Sequence, residues 1–301
     1  MQINQGQVAV VTGAASGIGL ALCHKFAQNG LNIMMADIEA EALAEAAVAV
    51  GAHGTDVATW IGDVSKEASV QALAAATVVR FGGVHVVCNN AGVAARNDPW
   101  FGPLAAWEWV MGVNFWGVVH GCRAFLPHLL AGGHIVNTAS MAGLMPGFGP
   151  SYDASKHAVV AVSEDLFHSM TAAGLPVGVS VLCPGWVRTR IVDSDRNWPT
   201  EMGAVPTGDA ASAVISAHVR RAIEEGATPA LIADHVFDAV VSGSFWVIPQ
   251  PEFLELAIDR WGSIGERVNP TQAAQVPGMP PREQITAEVM AALGLIPPSA
   301  T

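Results

Sequence analysis

Six short runs rich in valine, isoleucine and methionine recur along the 301 residues, spaced so that a helix fits between most neighbours. They are VAVV (8–11), LNIMMA (31–36), TWIGDV (59–64), VHVVCN (84–89), GHIVNTAS (133–140) and VGVSVLCP (177–184). Such runs are largely apolar on both faces, which suits strands covered on both sides in a parallel sheet. Parallel neighbours need long crossovers, and the segments 17–29, 39–50, 66–81, 104–130 and 151–173 are long enough to supply them as helices. This alternation predicts an α/β fold, a Rossmann-type doubly wound parallel sheet. SFWVI (244–248) is the natural seventh strand.

Composition narrows the class further. At 51% hydrophobic, the chain can bury one substantial core, so a single domain over residues 1–301 is expected. A substrate loop at about 185–230 and a C-terminal extension at about 250–301 would belong to it. The mean hydropathy is +0.38, yet Gly, Pro, Asp, Asn and His cut every apolar stretch well short of a membrane span. VAVVTG follows Met1 within a few residues without a leader-like segment, and a cytoplasmic protein without a membrane partner is expected. A net charge of −12 disfavours nucleic acid, which requires a basic face. Cys23, Cys88, Cys122 and Cys183 show no paired spacing, as expected of reduced core thiols. No compact Cys/His cluster or H-E-x-x-H appears, so no metal is expected.

The first chemical signal is VTGAASGIGL. Gly13, Gly17 and Gly19, with Ser16 and Ile18 among them, follow a strand and open a helix. In that setting backbone N–H groups can cradle a pyrophosphate, because no Cβ blocks its approach. A tight turn serving only helix packing is the alternative. The next strand ends at Asp37, near the spacing at which a carboxylate accepts from the adenosine ribose hydroxyls. Asp37 would repel a 2′-phosphate, and neither the glycine loop nor Ile38, Glu39 and Ala40 supplies a cation to offset it. NAD is therefore expected over NADP. Asp37 as a helix cap is compatible with this role.

Tyr152 is the only tyrosine in the chain, and Lys156 follows four residues later, on the same helix face. Alcohol oxidation by hydride transfer requires removal of the hydroxyl proton, and the reverse reaction requires its return. A free phenol ionises near pH 10, about three units above neutrality. A neighbouring ammonium, with the positive nicotinamide ring of NAD⁺, would favour the phenolate, and the shift required is worth roughly 4 kcal/mol. Packing at a helix start is the alternative for Tyr152. Ser140 ends a strand where open α/β sheets hold ligands and could orient the substrate oxygen. Asn114, in MGVNFWG, reads on its own as a core amide in need of a partner.

Together the G-x-x-x-G-x-G loop, GDV (62–64), NNAG (89–92), Asn114, Ser140, Tyr152-x-x-x-Lys156 and PGWVRT (184–189) resemble the short-chain dehydrogenase/reductase family over roughly residues 5–250. The resemblance implies that Asn114 holds water in a proton relay to Lys156. It also implies that Asp63 and Val64 flank the adenine, that Asn90, Ala91 and Gly92 line the adenosine ribose and nicotinamide side, and that Lys156 binds the nicotinamide ribose. Pro184 and Gly185 open the last motif, in which Val187 and Thr189 would meet the carboxamide. A homo-oligomer through helices around 104–130 and 151–173 is likewise implied. Met141, Leu144, Phe148, Trp186 and Trp198, with Trp100, Phe101 and Met145, are candidate walls for a bulky apolar substrate. The segment after Pro249 resembles the C-terminal part of members acting on large aromatic or alicyclic alcohols, including lignin-dimer Cα-dehydrogenases.

The expected activity is therefore NAD-dependent interconversion of a secondary alcohol and a ketone. An NADPH-preferring carbonyl or 3-oxoacyl reductase is the nearest alternative, and a nucleotide-binding scaffold or redox sensor the non-enzymatic one.

Overall fold

The computed structural model describes residues 1–95, 100 and 102–295. Seven parallel strands form one sheet in the order β3-β2-β1-β4-β5-β6-β7. They are β1 (Val8–Thr12), β2 (Asn32–Asp37), β3 (Val57–Ile61), β4 (Val86–Asn89), β5 (Gly133–Thr138), β6 (Val177–Leu182) and β7 (Trp246–Val247). β1, β4 and β5 are buried along their whole length, as their unbroken apolar character requires. The strand order reverses between β1 and β4, and the crevice at such a switch point is where open α/β sheets bind ligands.

Helices α1 (Gly17–Gln28), α2 (Ala40–Gly51), α3 (Glu67–Phe81), α4 (Leu104–Met111), α5 (Gly117–Leu129), α6 (Pro150–Ala172), α7 (Ala210–Glu224) and α8 (Pro229–Ser242) accompany the sheet. α9 (Leu254–Glu266) and α10 (Arg282–Ala292) complete the chain. One apolar cluster joins Phe26, Leu22 and Val236 to the sheet residues Val11, Ile33 and Met35. A second joins Leu73, Phe125 and Leu129 to Val10, Val87 and Ile135. Adjacent residues of one strand thus feed opposite layers, as the strand period of two dictates.

Three boundaries depart from the sequence expectation. The strand expected at 59–64 runs from Val57 to Ile61. After it the Gly62 N–H is taken by the Asp37 carbonyl at 3.0 Å, and Asp63 turns the chain by accepting from the Ser65 N–H and hydroxyl, both at 2.8 Å. The helix expected over 104–130 is interrupted by a π-helical turn, Gly112–Trp116. The segment expected as a loop at 185–230 holds 3-10 turns at Ile191–Asn197 and Thr200–Met202, followed by α7.

The C-terminal segment folds back on the body. α10 packs on α7, where His218 Nε2 lies 2.6 Å from a Glu288 oxygen. Arg260 of α9 donates to the Leu144 carbonyl at 3.0 Å.

Candidate active site

The carboxyl ends of β1, β2, β4 and β5 open into a cleft of about 430 Å³. Asn90 ties three of those strand ends together. Its backbone N–H donates to the Thr12 hydroxyl at 2.9 Å, its Nδ2 to the Thr12 carbonyl at 3.0 Å, and its Oδ1 accepts from Thr138 Oγ1 at 3.2 Å. The Thr12 hydroxyl also accepts from the Ala91 N–H at 3.1 Å. The floor of the cleft is thereby fixed by side chains that the strand sequence places at its own ends.

At one end lies the glycine loop. Gly13 has φ of +67°, and a Cβ there would meet the Ala91 Cα at 2.9 Å, so only glycine fits both conformation and space. A Cβ on Gly19 would collide with the Gly13 carbonyl oxygen. Ser16 precedes α1 without capping it through its side chain, so the N–H groups of the first turn have no side-chain acceptor there. An uncapped first turn at the head of the cleft suits an anionic group. The residues present thus fit a dinucleotide pyrophosphate.

Beside the loop, Asp37 accepts from the Ala15 N–H at 2.9 Å and from the Glu39 N–H at 3.0 Å. It locks the glycine loop to the end of β2 while itself bordering the cleft. The helix-capping position belongs to Glu39. Asp63, Val64, Ala91, Gly92, Pro184, Gly185, Val187 and Thr189 also border the cleft, as do Gly13, Ser16, Gly17, Ile18 and Asn90. Gly19 stands behind the loop, its backbone against Gly13 and Asn90.

Ser140, Tyr152 and Lys156 border the opposite wall. Ser140 leaves β5 and accepts from the Ala142 N–H at 3.1 Å, while the two α6 residues come onto one face one turn apart. Lys156 is buried, its ammonium donating to the Thr138 carbonyl at 2.8 Å and lying 5.6 Å from the Tyr152 ring centroid. Burial pushes the lysine down to about 8. Burial also pushes the Tyr152 phenol up to about 12, with hydrogen bonding to Ser140 opposing it and the Asp153 charge reinforcing it. Desolvation disfavours the charged form of both groups and outweighs the ammonium at this distance in the protein alone; the positive nicotinamide ring, on which the expectation also relies, would be a further charge favouring the phenolate.

Asn114 sits in the π-helical turn, fully buried. Its Oδ1 accepts from the Val93 N–H at 2.8 Å, and its Nδ2 donates to the Val93 carbonyl at 3.0 Å and to Ser155 Oγ at 3.1 Å. The amide is thus spent on clasping the strand exit after Gly92 to α6. It remains close to the lysine: a Cβ on Gly92 would lie 3.5 Å from Asn114 Oδ1 and 3.7 Å from Lys156 Nζ. π-Turns of this kind recur at functional sites.

The apolar walls differ from expectation. Phe148 and Trp186 border the cleft with ring centroids 5.4 Å apart. Met141, Leu144 and Trp198 do not border it. Met141 is wholly buried and Leu144 packs beside it in the cluster under β6, while Trp198 stacks edge-on against Trp109 and donates to the Gly203 carbonyl at 3.0 Å. Met145 is buried and Trp100 largely exposed; Phe101 lies outside the described residues. Apolar composition marks such residues as buried without saying which layer they join.

The contacts that hold several cleft residues in place gave no sequence signal. Trp186 is held by contacts far along the chain: its Nε1 donates to the Pro277 carbonyl at 2.6 Å, and its carbonyl accepts from Gln250 at 2.9 Å. Buried Asp153 accepts from the Gly147 N–H at 2.7 Å and the Phe148 N–H at 3.2 Å, fixing the loop that carries Phe148. At the Asp37 end, Arg196 and Asn197 arrive from the 3-10 turn to meet Glu39. Only the D-x-x-x pattern at Asp153, an acid in the first turn of a helix, could have been read locally.

The cysteine thiols at 23, 88 and 183 are buried and pushed up by burial, which leaves them protonated and unreactive. Among the described residues no three His, Cys, Asp or Glu side chains come together as a metal site, and no helix is long and apolar enough to cross a membrane.

Known proteins share both sequence and fold. 1-Deoxy-11-beta-hydroxypentalenate dehydrogenase of Streptomyces avermitilis is 47% identical over 191 residues, 62% of this chain and 70% of the relative. A crystal structure of a short chain dehydrogenase/reductase from Burkholderia phymatum in complex with NAD matches with a TM-score of 0.88 at 38% identity, covering 92% of this chain and 100% of the other. The apo form of LigD from Sphingobium sp. strain SYK-6 matches with a TM-score of 0.72 at 25% identity, covering 89% and 99%. The short chain dehydrogenase family model matches residues 7–200. The two-sided sheet, the glycine loop at its switch point and these likenesses converge: the chain belongs to the short-chain dehydrogenase family, as an oxidoreductase of the alcohol dehydrogenase and ketoreductase kind.

Proposed function

We propose that the protein is an NAD-preferring dehydrogenase that interconverts a bulky apolar secondary alcohol and its ketone, with Tyr152 as acid and base. The observation that carries the reading is the meeting of Ser140, Tyr152 and Lys156 at one wall of a cleft whose far end is the glycine loop and Asp37. A bound nicotinamide dinucleotide supplies the hydride acceptor or donor and, when oxidised, a positive charge near the phenol.

The chain supplies the rest. The first turn of α1 and the glycine loop hold the pyrophosphate, and Asp37 accepts from the adenosine ribose hydroxyls. Asp63 and Val64 flank the adenine, Gly92 and Lys156 face the nicotinamide ribose, and Val187 and Thr189 take the carboxamide. Ser140 orients the substrate oxygen toward the phenol. The phenol, neutral at rest, is ready to donate in ketone reduction and must first release its proton for alcohol oxidation. Asn114 positions this group by clasping α6 to the strand exit beside Gly92. Any ordered water between Asn114 and Lys156 would complete the proton path.

Phe148 and Trp186, together with Met202, Val219 and Ile223, favour a large apolar substrate over a short aliphatic one. The relative named 1-deoxy-11-beta-hydroxypentalenate dehydrogenase supports the same direction. The family supports a cytoplasmic homo-oligomer.

The test is to follow reduced-nicotinamide absorbance with NAD⁺ or NADP⁺ and a panel of aryl, alicyclic, steroidal and short aliphatic secondary alcohols. NADH formation confined to the bulky alcohols is expected. Tyr152→Phe is expected to bind NADH nearly as the parent while losing turnover, since it removes a proton and little volume. A variant that keeps most of its kcat refutes Tyr152 as the acid and base.

A further inference from the structure

The local sequence after Asp37 lacks a cation, but the folded chain brings Arg190 and Arg196 to the cleft, and Arg196 meets Glu39 directly. Arg196, 157 residues beyond Glu39, places Nε 2.9 Å and a terminal nitrogen 2.7 Å from the same Glu39 oxygen. Its other terminal nitrogen donates to the Arg190 and Asp193 carbonyls at 3.1 and 2.9 Å. Asn197 Nδ2 adds a third contact to that Glu39 oxygen at 2.8 Å. Burial works against the Glu39 carboxylate, yet these donors hold it below its ordinary range. Asp37, Ile38, Glu39, Arg196 and Asn197 all border the same end of the cleft.

A guanidinium is the group best suited to grip a phosphate dianion with two parallel hydrogen bonds. One at the ribose end of the cleft would ordinarily invite a 2′-phosphate and work against Asp37. Here its charge is cancelled by a carboxylate two residues from Asp37, and its donors point at that carboxylate and at backbone carbonyls. Both partners keep only about a quarter of their side-chain surface, 26% and 22%, so solvent screens the pair less than a fully exposed one.

We propose that Glu39 is a specificity-determining residue that enforces the non-phosphorylated dinucleotide by sequestering Arg196. The inference rests on the NAD reading above and adds a second element to it. Asp37 repels the 2′-phosphate directly, and Glu39 withholds the Arg196 guanidinium that could compensate. Arg190 also borders the cleft and acts on Glu39 through its charge, but among the described residues the side-chain donors to that carboxylate are Arg196 and Asn197. Replacing Glu39 by glutamine keeps the shape, removes the carboxylate and changes the summed charge of the pair from zero to +1.

Titration calorimetry with adenosine 2′,5′-bisphosphate and with AMP tests this without turnover. The quantity read is the ratio of their affinities, in wild type, Glu39→Gln, Arg196→Gln and the double variant, each checked by thermal melting. Wild type is expected to favour AMP. Glu39→Gln is expected to shift the ratio toward the bisphosphate by about tenfold or more, the scale of one charge-assisted contact, and the double variant to lose that gain. Arg196→Gln, which leaves Glu39 uncompensated, is expected to move the ratio the other way. The kcat/KM ratio for NADP⁺ over NAD⁺ should follow the same order.

Wild type favouring the bisphosphate refutes the NAD reading and takes this inference with it. Wild type favouring AMP with no gain in Glu39→Gln overturns the inference alone. So does a gain that survives in the double variant, because Glu39 would then act by its own charge only. An unchanged ratio in Arg196→Gln also overturns it, and that outcome stands whether or not Glu39→Gln folds.

Discussion

Replacing Lys156 by methionine should make the folded protein more stable while removing its activity. The lysine amine ordinarily titrates at 10.5, and burial pushes it down to about 8. Each tenfold change in proton affinity is worth about 1.4 kcal/mol, so the charged form carries about 3 kcal/mol of destabilisation at neutral pH. Methionine keeps most of the volume and needs no water. It forfeits the hydrogen bond to the Thr138 carbonyl, a loss of about 1 kcal/mol, which leaves a net gain of about 2 kcal/mol at pH 7. The sign of the pH dependence follows from the direction of the shift. Between about 8 and 10.5 the folded state binds fewer protons than the unfolded state, so wild-type stability rises with pH through that window. The advantage of the variant is therefore full below about pH 8 and fades toward pH 10.5. Urea unfolding of both proteins at about pH 7 and about pH 9.5 measures it. A variant less stable than wild type at pH 7, by an amount that does not change with pH, would refute the claim that this ammonium is held at a desolvation cost.

Asp37→Ala should raise NADP⁺ use relative to NAD⁺, read as a kcat/KM ratio. It should also cost about 1–2 kcal/mol of stability, because the Ala15 and Glu39 N–H groups lose their acceptor; an unchanged cofactor ratio would remove Asp37 from the ribose site. Gly278→Val should raise KM for bulky alcohols more than it lowers kcat. Gly278 has φ of +77°, and a Cβ there would meet the Trp186 ring at 2.9 Å, so the added bulk displaces the indole at the cleft wall. KM values for bulky alcohols unchanged from the parent in that variant would show that Trp186 does not shape the substrate end.

Much of this protein was legible from its sequence because the relevant physics is local. Strands buried on both faces announce themselves as apolar runs, and the seven-stranded sheet follows from their alternation with helices. The glycine loop is readable because its glycines meet a backbone demand, φ of +67° at Gly13 and +55° at Gly17. The spacing of Tyr152 and Lys156 is readable because four residues return a helix to the same face. What the sequence could not decide depends on surroundings brought together from afar. Whether the ammonium or desolvation governs the Tyr152 phenol is a balance of burial against distance, and neither exists before the chain folds. The π-turn that spends Asn114 on Val93 and Ser155 has the same composition as an α-turn. Trp186 reaches the cleft wall pinned by Pro277, 91 residues later, whereas the equally apolar Trp198 joins Trp109. Local sequence sets Asp37 at the end of β2, but the guanidinium that meets Glu39 two residues on comes with Arg196 from 157 residues away. Backbone conformation and side-chain periodicity are properties of neighbouring residues, while desolvation and charge pairing are properties of a neighbourhood that only tertiary packing creates.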